Sequence, residues 1–208
     1  TIAKKTVNDY LGIPKFQSDL AERTTKPGVV TGMAWTAAGG DILFVESSKM
    51  RGKGLLTLTG QLGDVMKESA AAAFTYVKSH TDILGLKEDF AEKMDIHVHC
   101  PAGAIPKDGP SAGVGMFTSL VSLLTDKPVK SKLSMTGEIT LRGNVLAIGG
   151  VKEKVTAAHR AGIRTIILPF ANKRDLEEIP EHIKKDLKFH FAKEVMDVID
   201  VAIPDLKK

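Results

Sequence analysis

The chain has 208 residues, 43% hydrophobic and 26% charged, which suits one well-filled globular core with room for an appendage. Its net charge of +4 and pI near 9.0 are the ordinary surplus of a solvated surface and demand no acidic partner. The single cysteine, Cys100, excludes an intrachain disulfide and fits a reducing compartment, no apolar run reaches the ~20 residues of a membrane span, and no signal peptide is recognisable.

The chain opens at Thr1 and not at methionine, as an excised piece of a longer protein would. Val7 to Gly12 predicts a short helix closed by Pro14, and the polar stretch from Gln17 to Gly28 reads as a linker. Residues 1–26 are therefore expected to be the tail of a preceding domain, and 27–208 a domain of their own. Val29 to Thr36 and Asp41 to Ser47 alternate and are β-branched, with Ala38-Gly39-Gly40 as the turn of a hairpin. Leu55 to Thr59 predicts another short strand. Gln61 to His80 predicts a helix, with Leu62, Val65, Met66, Ala70 and Ala73 at helical spacing. Asp95 to Cys100 predicts a strand whose His97 and His99 face one side. Ser111 to Leu124 predicts a helix ended by Asp126-Lys127-Pro128. Leu133 to Thr136 and Ile139 to Ile148 are strand-like, the second turned at Arg142-Gly143-Asn144. Val151 to Ala161 predicts a helix stopped by Gly162, Thr165 to Leu168 a buried strand, Lys188 to Phe191 a strand, and Lys193 to Val201 a closing helix. Strands and helices interleave, so the fold class is mixed α/β.

Pro106-Lys107-Asp108-Gly109-Pro110-Ser111-Ala112-Gly113 is the most informative segment. Asp108 is a good N-cap and Pro110 suits a first turn, so Ser111 is expected at the positive end of a helix dipole, among unpaired N–H groups. Such groups stabilise an alkoxide or a developing oxyanion. A lone serine there is usually only a cap. Lys154, 43 positions after Ser111, changes the reading. With Val151 as the zero of a helical wheel, Val155, Ala158 and Gly162 fall within about 40° of it and Lys154 about 60° to one side, while Lys152, Glu153 and Arg160 point outward. A lysine directed at an apolar face either snorkels or loses its proton. A neutral amine is a general base, and a serine so activated cleaves amide bonds without histidine. His159, about 80° from Val151 on the outward side, ranks below Lys154 as a base. His97 and His99 have a spacing that can bind metal, but no third ligand is evident, so a structural role near Ser111 is expected and no metal site.

At these residues the chain resembles the proteolytic domain of the Lon family, ATP-dependent serine endopeptidases of the bacterial type. Pro106 to Gly113 is similar to the family's nucleophile segment, with Ser111 at the catalytic serine. Gly149-Gly150-Val151-Lys152-Glu153-Lys154 is similar to the lysine segment, with Lys154 at the base. Thr57-Leu58-Thr59-Gly60, Met66-Lys67-Glu68-Ser69, Thr136 to Gly143, Ala157 to Arg160 and Pro169 to Pro180 extend the likeness. It runs from about Gly28 to the C-terminus, and Thr1 to Phe16 resembles the last helix of the ATPase domain that precedes it in the family.

The resemblance implies the Lon proteolytic-domain fold and a Ser111–Lys154 dyad. It places Thr136 beside the lysine, and Asp108, Gly109 and Pro110 in support of the serine. Asp108 is expected either to cap a helix permanently or to swing toward Lys154 and lock it as an ion pair. Trp35, with Met33, either lies in the core or lines an apolar groove to which a peptide adds as a strand. Glu138 and Arg142 either pair across protomers or face solvent. The resemblance further implies unfolded, misfolded or regulatory protein substrates, a homo-hexamer, a cytoplasmic setting, and ATP with magnesium in the full-length protein. Neither a membrane nor nucleic acid is an expected partner of this domain. Arg51-Gly52-Lys53-Gly54 lacks the spacing of a nucleotide loop, so no cofactor is expected here and the piece should neither hydrolyse ATP nor unfold proteins. The alternatives are a small-molecule kinase of the galactokinase–homoserine kinase type, whose Gly/Ser-rich turn also opens a helix, and a non-catalytic regulatory module.

Overall fold

Alternating β-branched and small residues make β1 (Val29–Thr36) and β2 (Gly39–Arg51) an antiparallel pair, in which Trp35 stands opposite Gly40 and Thr36 opposite Gly39. The glycines expected in the turn are thus rungs of the ladder. The computed structural model describes residues 26–36, 39–101 and 105–207, together with Thr6, Tyr10 and Gly12. The short helix expected before Pro14, most of the linker, and the hairpin connection at residues 37–38 lie outside the described residues.

Strand β3 (Leu56–Thr59) and helix α1 (Asp64–Ser79) follow. The helix begins three residues later than expected, because Gln61 takes a left-handed φ of 57° and Leu62 bridges to Lys107. After α2 (Phe90–Lys93) and β4 (Met94–His99), a 3-10 turn at Pro110–Ala112 leads into α3 (Gly113–Thr125), which is buried from Gly113 to Leu123. Then come β5 (Leu133–Met135), the small hairpin of β6 (Glu138–Ile139) and β7 (Val145–Leu146), α4 (Val151–Arg160) and β8 (Thr165–Pro169). A 3-10 segment (Phe170–Glu178), α5 (Glu181–Asp186), β9 (Lys188–Ala192) and α6 (Val195–Ala202) complete the order. Helix α6 starts at Val195 and not at Lys193, because Glu194 and Asp197 form a capping box there. The pieces the periodicity does not reveal, α2, the 3-10 segment and α5, are each too short to be stable helices alone.

Seven strands form one mixed sheet in the order β3-β4-β2-β1-β5-β8-β9. Alternation sends Val30, Leu43, Val45 and Ile167 to one face, where α1, α3 and α6 cover the larger core. Met33, Ile166 and Leu168 point to the other face, where α4 and α5 cover a smaller core with Val151, Val155 and Ile183. Each Val, Ile or Leu fully buried in this way contributes roughly 1.5–3 kcal/mol. The turn with Ser111 sits over the first face and the helix with Lys154 over the second. The sheet opens between them: among the described residues β1 and β5 pair at Gly32–Met135 alone.

Candidate active site

Helix α4 presents Val151, Val155 and Ala158 to the smaller core and carries Lys154 in with them, leaving that lysine 3% exposed. The side chain does not snorkel. Burial penalises its ammonium form and pulls the pKa down to about 8. Nζ donates to the hydroxyl of Thr136 at 3.4 Å.

Thr136 directly follows β5. Its Oγ1 donates to the Ser111 carbonyl oxygen at 3.2 Å, so one uncharged hydroxyl touches both halves of the pair. Gly137 adds a second bond to the same carbonyl, from its N–H at 2.9 Å, and its own oxygen accepts from Val114 N at 3.0 Å. The loop after β5 therefore staples the serine turn at two points. A methyl at Gly137 would press on Val114 and Val145 at 2.8 and 2.9 Å, so this position takes no side chain. Ser111 is half-buried in the 3-10 turn, with Pro110 at its first position and Gly109 before it at φ 121°, a conformation that favours glycine.

Asp108 does not cap that turn. Its Oδ1 accepts from Met66 N at 3.0 Å and from Gly109 N at 2.8 Å. Met66 is the third residue of α1, so the carboxylate caps a different helix, whose own N-cap, Gly63, has no side chain to do it. A Cβ at Gly63 would collide with the Asp108 carboxylate. The ion-paired lock with Lys154 is not formed in this arrangement.

Met33 is 2% exposed and belongs to the smaller core, so its side chain does not line a groove. Trp35, two residues on and on the same face, is 61% exposed, because the strand has run past the edge of the core there. The core reading of Trp35 is thereby corrected. His97 Nε2 and His99 Nδ1 both bond to Thr59 Oγ1, at 2.8 and 2.7 Å. Among the described residues, no group of three or more His, Cys, Asp or Glu is placed to hold a metal ion. His159 is tied to Asp186 of α5 at 2.8 Å. Glu138 is half-buried and Arg142 is exposed at the β6–β7 hairpin.

One residue of the matched segment Pro169 to Pro180 has a supporting role that the motif did not disclose. Asn172 is 4% exposed, and its amide meets both main-chain groups of Ile148, accepting from N at 3.0 Å and donating to O at 2.9 Å. Asp175 Oδ2 accepts a further bond from Nδ2 at 2.6 Å. Ile148 begins the loop into α4, so this amide anchors the approach to Lys154. An Asn three residues past a strand-ending proline, inside the matched segment, is the sequence signal for it.

A family model described as the Lon protease (S16) C-terminal proteolytic domain matches residues 1–205. The chain is 57% identical to the Lon protease of Desulfosudis oleivorans over 202 residues, which are 97% of this chain and 25% of that protein. It is 58% identical to the Lon protease of Anaeromyxobacter dehalogenans over 205 residues, 99% of this chain and 24% of that protein. Lon protease 1 of Bdellovibrio bacteriovorus is 55% identical over 202 residues. The chain thus spans about a quarter of the length of the curated relatives it matches. Matched over nearly its whole length and folded as a mixed α/β domain, the chain belongs to the Lon protease (S16) C-terminal proteolytic domain family.

Proposed function

We propose that this chain hydrolyses peptide bonds with Ser111 as nucleophile and Lys154 as general base. The observation that carries the reading is a buried lysine with a pKa pulled to about 8, joined to the serine turn through the Thr136 hydroxyl. The neutral amine takes the proton from Ser111 Oγ as that oxygen attacks the scissile carbonyl carbon. Negative charge develops on the carbonyl oxygen, and main-chain N–H groups around Ser111 would be the donors that receive it. The C–N bond then breaks, and the Lys154 ammonium protonates the departing amine. Water, deprotonated by the same amine, attacks the ester, and Ser111 Oγ leaves with its proton restored. Thr136 orients the lysine. Gly109 and Pro110 shape the turn, while Asp108 ties it to α1.

Among the described residues β1 pairs with β5 at Gly32 alone, so Met33 to Trp35 offer an edge to which a peptide could add as a strand, with the Trp35 ring beside it. The family resemblance carries the rest of the proposal: residues 1–26 as the tail of an ATPase domain, ATP and magnesium bound there, a homo-hexameric ring, and unfolded, misfolded or regulatory proteins as substrates. No helix among the described residues is long and apolar enough to cross a membrane. With one cysteine in a reducing-compartment pattern, a cytoplasmic setting fits.

The test is trapping of the acyl-enzyme. A peptide ester quenched in acid should leave an adduct on Ser111, visible by mass spectrometry and lost in Ser111→Ala. An adduct on another residue, or none in the wild type, would defeat the reading.

A further inference from the structure

Two glycines and the tryptophan grip the backbone that carries Lys154. Gly40, at the start of β2, lies so close to the peptide between Glu153 and Lys154 that an added methyl would collide with the Glu153 carbonyl and stand 3.0 Å from Lys154 N. Arg160, one turn and a half further along α4, donates from Nη2 to the Gly40 carbonyl at 3.3 Å, so the helix is tied to the same residue again. Gly150 is the N-cap of α4, at φ 68°, and its carbonyl accepts the helical bond from Lys154 N at 3.0 Å. The Trp35 side chain lies over it: a methyl at Gly150 would meet Trp35 Cγ, Cβ and Cδ1 at 3.0 to 3.2 Å. Trp35 and Gly40 are themselves opposite residues of the β1–β2 ladder. Gly149, one residue earlier, has nothing within 4 Å of an added Cβ.

We propose that Gly40, Gly150 and Trp35 are positioning residues that set the depth of Lys154, so that the strand edge offered to the peptide and the general base move as one body. The inference rests on the dyad reading above. Its physical content is water exclusion. Gly40 lets α4 lie flush on β2, and Trp35 closes the N-terminal end of the helix. Lifting α4 by the width of a methyl admits water to the lysine and restores the solvation that favours its ammonium form. Desolvation by burial is what lowers the lysine's pKa. Loss of burial is therefore expected to move it upward.

The experiment measures the rate at which a small fluorophosphonate labels Ser111, as a function of pH. The probe is too short to lie along β1, so it reports on the base and not on the groove. Wild type is expected to show a midpoint near 8. Gly40→Ala is expected to raise that midpoint by about one unit, which slows labelling roughly tenfold at pH 7, with the rate recovering near pH 10. Gly149→Ala should match wild type. Trp35→Ala, a substitution at an exposed position, should move the midpoint in the same direction, and Trp35→Phe should restore it. If circular dichroism shows Gly40→Ala unfolded, the Trp35 pair decides alone. An unchanged midpoint in the folded variants, whether or not the rate falls, would overturn the proposal, because a purely structural defect slows labelling equally at every pH. Absence of Ser111 labelling in wild type, or labelling that survives in Lys154→Ala, would bring down the dyad reading, and the inference with it.

Discussion

Thr136 Oγ1 accepts from Lys154 Nζ at 3.4 Å while donating its own proton to the Ser111 carbonyl at 3.2 Å. The hydroxyl is uncharged, so it orients the amine without the ion pair that would hold the lysine protonated. Thr136→Val keeps the shape and removes both bonds. A hydrogen bond between neutral groups is worth about 0.5–1.5 kcal/mol, so kcat should fall roughly twofold to tenfold with KM little changed. Thr136→Ser should retain most of the activity. Steady-state cleavage of a fluorogenic peptide by the two variants checks this.

Burying Lys154 has a cost that its removal should relieve. The folded-state pKa is about 8 against an ordinary 10.5. Below pH 8 both folded and unfolded chains hold the proton, and the penalty for burying the ammonium is fully present, at about 3 kcal/mol. As pH rises from 8 to 10.5 the folded chain sheds its proton first, and this group's contribution to stability rises. Lys154→Met should therefore be inactive yet more stable than wild type by up to about 3 kcal/mol at pH 7, with the advantage shrinking across that window. Urea melts at pH 7 and pH 10 measure it.

Asp108 ties the serine turn to α1 through Met66 N. Asp108→Ala should destabilise the fold by about 1 kcal/mol, the usual value of an N-cap. Asp108→Asn keeps an acceptor and should cost less. Because the carboxylate faces α1 and not Lys154, Asp108→Asn should leave the pH–rate midpoint in place. A shifted midpoint would revive the ion-paired lock.

How much of this was legible beforehand differs from residue to residue. The stripe of Val151, Val155 and Ala158 pointed Lys154 toward the core, and the strand and helix order of the mixed α/β class could be followed along the chain. The cap grammar around Ser111 misassigned its helix. Asp108 serves α1 because Gly63, 45 positions earlier, leaves a space that only its carboxylate fills, and no local pattern encodes a contact over that separation. Trp35 illustrates a second limit. Alternation tells which face a side chain takes but not whether the core still extends beneath it, and at Trp35 it does not. The kinase alternative, built on the same Gly/Ser-rich turn, ends with the family membership.

Asn172 holds Ile148 from the buried side. Asn172→Leu would leave two part-buried main-chain groups of Ile148 without this partner, each costing at most about 1–3 kcal/mol, and would free the loop that enters α4. Both stability and kcat should fall, the second more than a stability loss alone explains. Thermal melts and peptide cleavage at a temperature where the variant remains folded separate the two effects.

The central claim, that a neutral Lys154 activates Ser111, is tested most directly by the pH dependence of fluorogenic peptide cleavage, with Lys154→Ala and Ser111→Ala as controls. Turnover should rise with pH through a midpoint near 8 and vanish in both variants. A midpoint near that of an ordinary histidine, at about 6.5, or equal turnover in Lys154→Ala, would contradict it.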